Sequence, residues 1–116
     1  MTDRPPTPLT WECHSSDGYT IACFRIDVPG GVLDHRQLAD IKLPADLDHT
    51  HRDGLVLSGA GPIWLYGHLV HLAHAWAFVA VHDPRLGGAV VVMRHVSAAP
   101  PLGHVVPLTG GSSWRA

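Results

Sequence analysis

The chain has 116 residues, 46% of them hydrophobic and 16% charged, enough for one domain with an apolar core but not for two. No apolar stretch approaches the ~20 residues that span a bilayer, and Met1–Pro8 lacks the apolar centre of a signal peptide, so a cytoplasmic protein away from membranes is expected. A formal net charge of −2, with one lysine and seven arginines, argues against long nucleic acid as a partner.

Residues 1–9 carry three prolines and few apolar groups and read as a disordered tail; residues 110–116 read as a flexible end, leaving a domain over 10–109. Trp11–Cys13 and Tyr19–Ile26 are predicted strands joined by the turn residues Ser15-Ser16-Asp17-Gly18. Cys13 and Cys23 lie where they can face each other across that hairpin, although in a reducing compartment they read as small core residues. Pro29-Gly30-Gly31 ends the second strand, a short helix follows over Asp34–Ala39, and Ile41–Pro44 is extended. Asp46–Asp53 is loop. Leu55–Ser58 is a buried strand that runs into Gly59-Ala60-Gly61 and then Pro62, the residue best tolerated at a helix's first position. A strand, a glycine-rich turn and a helix start leave backbone N–H groups able to dock an anion such as phosphate. Valine-rich strands over Ala77–His82 and Ala89–Arg94, joined by Asp83-Pro-Arg-Leu-Gly-Gly88, and an edge strand over His104–Leu108 complete the prediction. The pattern predicts a single α/β domain, a small twisted sheet with few helices.

Within the predicted helix, Pro62 to about Trp76, residues Leu65, Leu69, Leu72, Ala73 and Trp76 share one stripe. His71 and His74 point roughly 140° and 160° from its centre at the helical 100° per residue. They fall with Ile63 and Val70 on a second face, read as meeting another subunit, while His68 at the stripe's edge only packs. The plain alternative is that these histidines are solvated. At i, i+3 they are neighbours able to share a metal or flank a phosphate, but two imidazoles need a third ligand, Asp83 or His95. In a hairpin, Asp83 lies at the tip and His95 at the base, about 20 Å apart within one chain. A site using both therefore needs two subunits. Asp83-Pro84-Arg85 is equally ordinary turn chemistry; the functional reading has Asp83 hold a metal or orient water and Arg85 neutralise phosphate charge.

Gly61-Pro-Ile-Trp-Leu65, His71, His74, Phe78-Val-Ala-Val81, Asp83-Pro-Arg-Leu-Gly87, Val90-Val-Val92 and His95 together resemble the third CRISPR ring nuclease family, closely over Gly54–His95 and more loosely at Phe24–Ile26, Pro29 and Ile41–Pro44. The resemblance implies a Rossmann-like, CRISPR-associated fold, a manganese-dependent homodimer, and cleavage of cyclic tetra-adenylate to linear oligoadenylates that switches off type III antiviral signalling. It also implies a ring held between two dimers in a tetramer. Carried over by position, Ser58, Gly59, Ala60, Gly61 and Pro62 form the ring-binding loop. His74, Asp83 and Arg85 become the catalytic set, and His71, Asp83 and His95 the Mn²⁺ ligands. The loop departs from the family at Ala60, where an arginine is usual, with Arg52 a candidate replacement; a glycine is also added at Gly87-Gly88. Two mechanisms suit the substrate. A metal route leaves a 5′-phosphate and is favoured because it employs Asp83; attack by the ribose 2′-hydroxyl, with His74 moving the proton, leaves a 2′,3′-cyclic phosphate. The rival functions are a binding module that sequesters the ring without cutting it and an exonuclease acting on poly(A) ends.

Overall fold

The computed structural model describes residues 8–16, 18–44, 47 and 53–108. Six strands lie side by side in chain order: β1 (Leu9–Ser16), β2 (Tyr19–Ile26), β3 (Gly54–Ser58), β4 (Phe78–Asp83), β5 (Gly88–Arg94) and β6 (Val105–Pro107). The sheet is mixed. β2, β3 and β4 run parallel, and β1, β5 and β6 add antiparallel neighbours on either side. One α-helix, α1 (Ile63–Leu72), makes the crossover from β3 to β4 that a parallel pair requires. Short 3₁₀ helices occupy Pro29–Gly31, His35–Asp40 and Pro84–Leu86. The predicted small sheet with few helices is what forms.

β3 explains why the core sits where it does. Leu55, Val56 and Leu57 are all fully buried, as expected for a central strand covered on both faces. Leu55 and Leu57 face α1, where they meet Leu65, Leu69, Ala73 and Trp76; Val56 points the other way, towards Phe78, Ala80, Ala89 and Val91. The second of the 3₁₀ helices is fixed locally by a capping box. Asp34 accepts from Arg36 N–H while Gln37 accepts from the Asp34 N–H at 3.0 Å.

Several boundaries differ from expectation for visible reasons. Leu9, assigned above to the tail, opens β1 and is buried among Ala22, Phe24 and Ile41, so the domain starts on a core residue. Pro62 caps α1 with an extended backbone instead of entering it. The helix stops at Leu72 because the chain tightens into three-residue turns, with His74 N–H on the His71 carbonyl and Trp76 N–H on the Ala73 carbonyl. Ala73 and Trp76 reach the core from those turns. Val70 packs against the α1 core instead of pointing outward. Cys13 pairs with Ala22 and Cys23 with Glu12, which puts the two thiols on opposite faces of the sheet and unable to bridge. Each is half-buried, and burial raises the Cys23 thiol pKa. Most of the predicted 46–53 loop, and the tails beyond Leu108 and before Pro8, lie outside the described residues. No helix among the described residues is long and apolar enough to cross a membrane.

Candidate functional site

Parallel strands give the sheet a direction, and the candidate residues sort along it. β2, β3 and β4 all end at the same edge, where Cys23 registers with Ser58 and Leu57 with Val81. The segment Ser58–Pro62 leaves this edge to start α1, and Asp83 ends β4 there. Call this the loop end. α1 runs back from it, so His71 in its last turn and His74 just beyond lie at the opposite end. His95 lies there too, because its N–H bonds to the Ala77 carbonyl at 2.8 Å, beside the start of β4.

At the loop end Ser58 is a buried polar residue, 3% exposed, whose Oγ lies 3.0 Å from His82 Nδ1. Cys23 makes a further side-chain contact with Ser58, giving a row of Cys23, Ser58 and His82 across three adjacent strands. Ser58 is therefore a strand-to-strand tie. His82 went unnoticed in the sequence because its importance comes from a register between strands 24 residues apart. The only sequence signal was that both residues directly precede the two turns singled out.

The next residue, Gly59, passes directly over Phe24 with φ +146°; a Cβ there would meet the Phe24 carbonyl oxygen at 2.5 Å. Phe24 stands edge-on to both Trp11 and Tyr66, with ring centroids 5.8 and 5.3 Å apart. The Tyr66 hydroxyl then donates to the Gly59 carbonyl at 2.6 Å. One aromatic ladder thus fixes the backbone of the loop. Burial pushes the Tyr66 phenol up to about 12. Its folded value lies above the ordinary one, so this contribution to stability is complete below pH ~10 and lost as the pH rises through about 12. Tyr66→Phe is expected to lower the unfolding free energy by about 1 kcal/mol. It should also flatten the alkaline limb of a urea-monitored stability profile, and an unchanged limb would show that the hydroxyl does not hold the loop.

Asp83 and Arg85 form a self-contained unit beside that loop. Asp83 accepts from the Arg85 backbone N–H at 3.0 Å and from its guanidinium at 3.3 Å, capping the 3₁₀ turn Pro84–Leu86. These contacts hold the Asp83 carboxyl below its ordinary pKa, so it is ionised at neutral pH. The turn reading holds: the carboxylate is fixed in the turn, and the arginine side chain remains 89% exposed.

At the opposite end the His71 and His74 rings stack 6.0 Å apart at 25°. His74 Nδ1 lies 3.2 Å from the His71 carbonyl, which can only accept. A proton on Nδ1 leaves the lone pair of neutral His74 on Nε2, the arrangement a general base or metal ligand needs. Both histidines are exposed; Ile63, 89% exposed, and Trp64 lie in the first turn of α1, at the loop end. His68 is the packing residue expected, its Nε2 bonded to the Ile41 carbonyl at 2.9 Å.

The structure brings Ser58, Gly59, Ala60, Gly61, Pro62, Asp83 and Arg85 to one end and His71, His74 and His95 to the other. The six residues of β4 separate the ends by roughly 20 Å. His74 therefore does not meet Asp83 and Arg85 within one chain, and neither do His71 and His95 meet Asp83. Among the described residues, no three His, Cys, Asp or Glu side chains converge to hold a metal. Arg52, offered as a replacement for a loop cation, lies outside the described residues.

Fold and site together define a small α/β protein whose polar residues gather at the two ends of a parallel three-strand core. Its sequence from residue 26 to 107 matches the profile of the family described as CRISPR-associated protein (Cas_csx3), and the chain belongs to that family. It is also 63% identical, over 41 residues, to a protein of Aquifex aeolicus (strain VF5) whose printed name is "Uncharacterized protein". That match spans 35% of this chain and 37% of the relative's length. A CRISPR-associated role follows from the family.

Proposed function

We propose that this chain is a cytoplasmic ring nuclease that binds cyclic tetra-adenylate and cuts it to linear oligoadenylates, ending type III CRISPR signalling. The observation that carries the reading is the separation of the two polar ends. A glycine-rich turn with a fixed carboxylate–guanidinium pair stands at one end and two exposed, stacked imidazoles at the other. Neither end is complete. Two copies stacked loop end to histidine end join the halves, and a ring sandwiched between dimers provides that geometry. The exposed Ile63 and Trp64 in the first turn of α1, at the loop end, support a second copy against that end. The parallel β2–β3–β4 core with its α1 crossover is the Rossmann-like element of this reading.

In this arrangement the Gly59–Pro62 backbone receives ring phosphates and Arg85 offsets their charge. Asp83 presents a permanent carboxylate towards the facing copy. His74, with Nε2 as acceptor, takes or returns the proton of the reaction. The residues expected to hold Mn²⁺ do not meet within one chain among the described residues; His71 and His95 of one copy with Asp83 of another would hold it. When bound, such an ion supplies Lewis-acid charge at the scissile phosphate.

The test is incubation of the purified protein with cyclic tetra-adenylate and Mn²⁺ or EDTA, with products resolved by mass spectrometry. Metal-dependent conversion to linear di-adenylate with 5′-phosphate ends is expected. A 2′,3′-cyclic phosphate formed in EDTA would transfer the reaction to the ribose hydroxyl. An intact ring that binds tightly by calorimetry would make the protein a messenger sink and remove the catalytic roles of His74 and Asp83.

A further inference from the structure

The loop end contains a cleft of about 840 Å³, of which the proposed chemistry uses only the Gly59–Ala60 side. Its walls are the ends of β1 and β2, with Thr10, Glu12 and Arg25 on one side, and the backbone of Gly59 and Ala60 on the other. Arg25 is exposed and makes no ion pair with any described residue. The other arginines described are engaged: Arg36 with Asp34 at 2.7 Å, Arg85 with Asp83, and Arg94 with the Ser97 and Ala99 carbonyls. Arg25 alternates onto the same face of β2 as Cys23, two residues beyond the Cys23–Ser58 register, and lines the cleft together with Gly59 and Ala60. The loop itself offers backbone donors only, because Gly59, Ala60 and Gly61 have no polar side chain.

We propose that Arg25 is the cation of the phosphate-binding end: it reaches across this cleft to a phosphate that the Gly59–Ala60 backbone positions. An exposed guanidinium with no carboxylate partner among the described residues is available for a bidentate bond to a phosphate. Glu12, the acidic residue lining the cleft, lies 3.6 Å from His14 and does not hold Arg25. This inference rests on the reading of the loop end as the site of cyclic tetra-adenylate binding, and it adds a residue that decides affinity there.

Calorimetric titration of the full chain with cyclic tetra-adenylate, in EDTA and at several salt concentrations, tests it. Arg25→Ala is expected to weaken binding roughly tenfold to a hundredfold, the loss of one charge-assisted bond. It should also lower the salt slope by about 0.7 for each phosphate contact removed. Arg25→Lys should keep most of the slope and part of the affinity. Adding Ala60→Arg to the Arg25→Ala protein should recover binding, because a cation then returns to the other wall of the cleft; a misfolded variant could not be rescued this way. Unchanged affinity and slope in Arg25→Ala, with the unaltered protein binding normally, overturns the role of Arg25 and leaves the ring-binding reading standing. Failure of the unaltered protein to bind the ring overturns both.

Discussion

Mixing His74→Ala with Asp83→Asn protein is expected to restore cleavage of cyclic tetra-adenylate that each variant alone loses by a factor of about 10²–10⁴. His74 follows the last turn of α1, and Asp83 ends β4 at the far edge of the sheet. A site containing both must take them from different copies. In an equal mixture, roughly a quarter of randomly paired sites carry an intact His74 from one copy and an intact Asp83 from the other. Asparagine is chosen at 83 because its carbonyl can still cap the Pro84–Leu86 turn, so the loss reports the carboxylate and not an unfolded hairpin. His74 is exposed, which makes its truncation mild for the fold. A mixture no more active than its components, after subunit exchange has been verified with labelled protein, would show that the reaction does not join opposite ends.

Gly59→Ala should abolish ring binding and reduce stability by an amount on the order of 3 kcal/mol, read from the urea midpoint and from calorimetry on the protein that remains folded. The added methyl meets the Phe24 carbonyl oxygen, which belongs to β2 and cannot swing away as a side-chain tip can. The backbone at φ +146° is also one that L-residues rarely adopt. Relief requires lifting the loop, and that stretches the Tyr66 hydroxyl bond and opens the edge-on Phe24–Tyr66 contact. Alanine at the neighbouring position is already present as Ala60, so the effect belongs to Gly59 specifically. Retained affinity with an unchanged midpoint would mean that the ladder does not set the loop.

Most of the fold was legible because its elements obey local rules. Tyr19–Ile26 was read with its actual limits, since β-branched and aromatic residues lie between turn residues. The β3, α1, β4 sequence followed from an apolar run, glycines, a proline and a helical stripe. What the sequence misplaced are features that depend on partners. The end of α1 is set by carbonyls that capture N–H groups three residues on. Val70 was assigned outward from an angle alone, yet the core extends around the helix far enough to reach it. The thiols, which could have faced each other in the hairpin but read as small core residues, pack against the core on opposite faces because the register is offset by one residue.

The candidate site divides in the same way. The sequence by itself determined the chemistry available: glycines before a helix, paired histidines, and an Asp-Pro-Arg turn, together with membership of a CRISPR-associated family. It also determined that Asp83 and His95 stand a strand's length apart, because strand rise is a fixed distance per residue. Only the tertiary structure decided which groups share an end. A parallel sheet with one crossover helix sends α1 back down the sheet, so residues nine positions apart such as His74 and Asp83 finish at opposite edges. Strand register also brings Ser58 against His82 and lets Arg25 line one cleft with Gly59 and Ala60, arrangements made between strands far apart in the chain and therefore without a local signature.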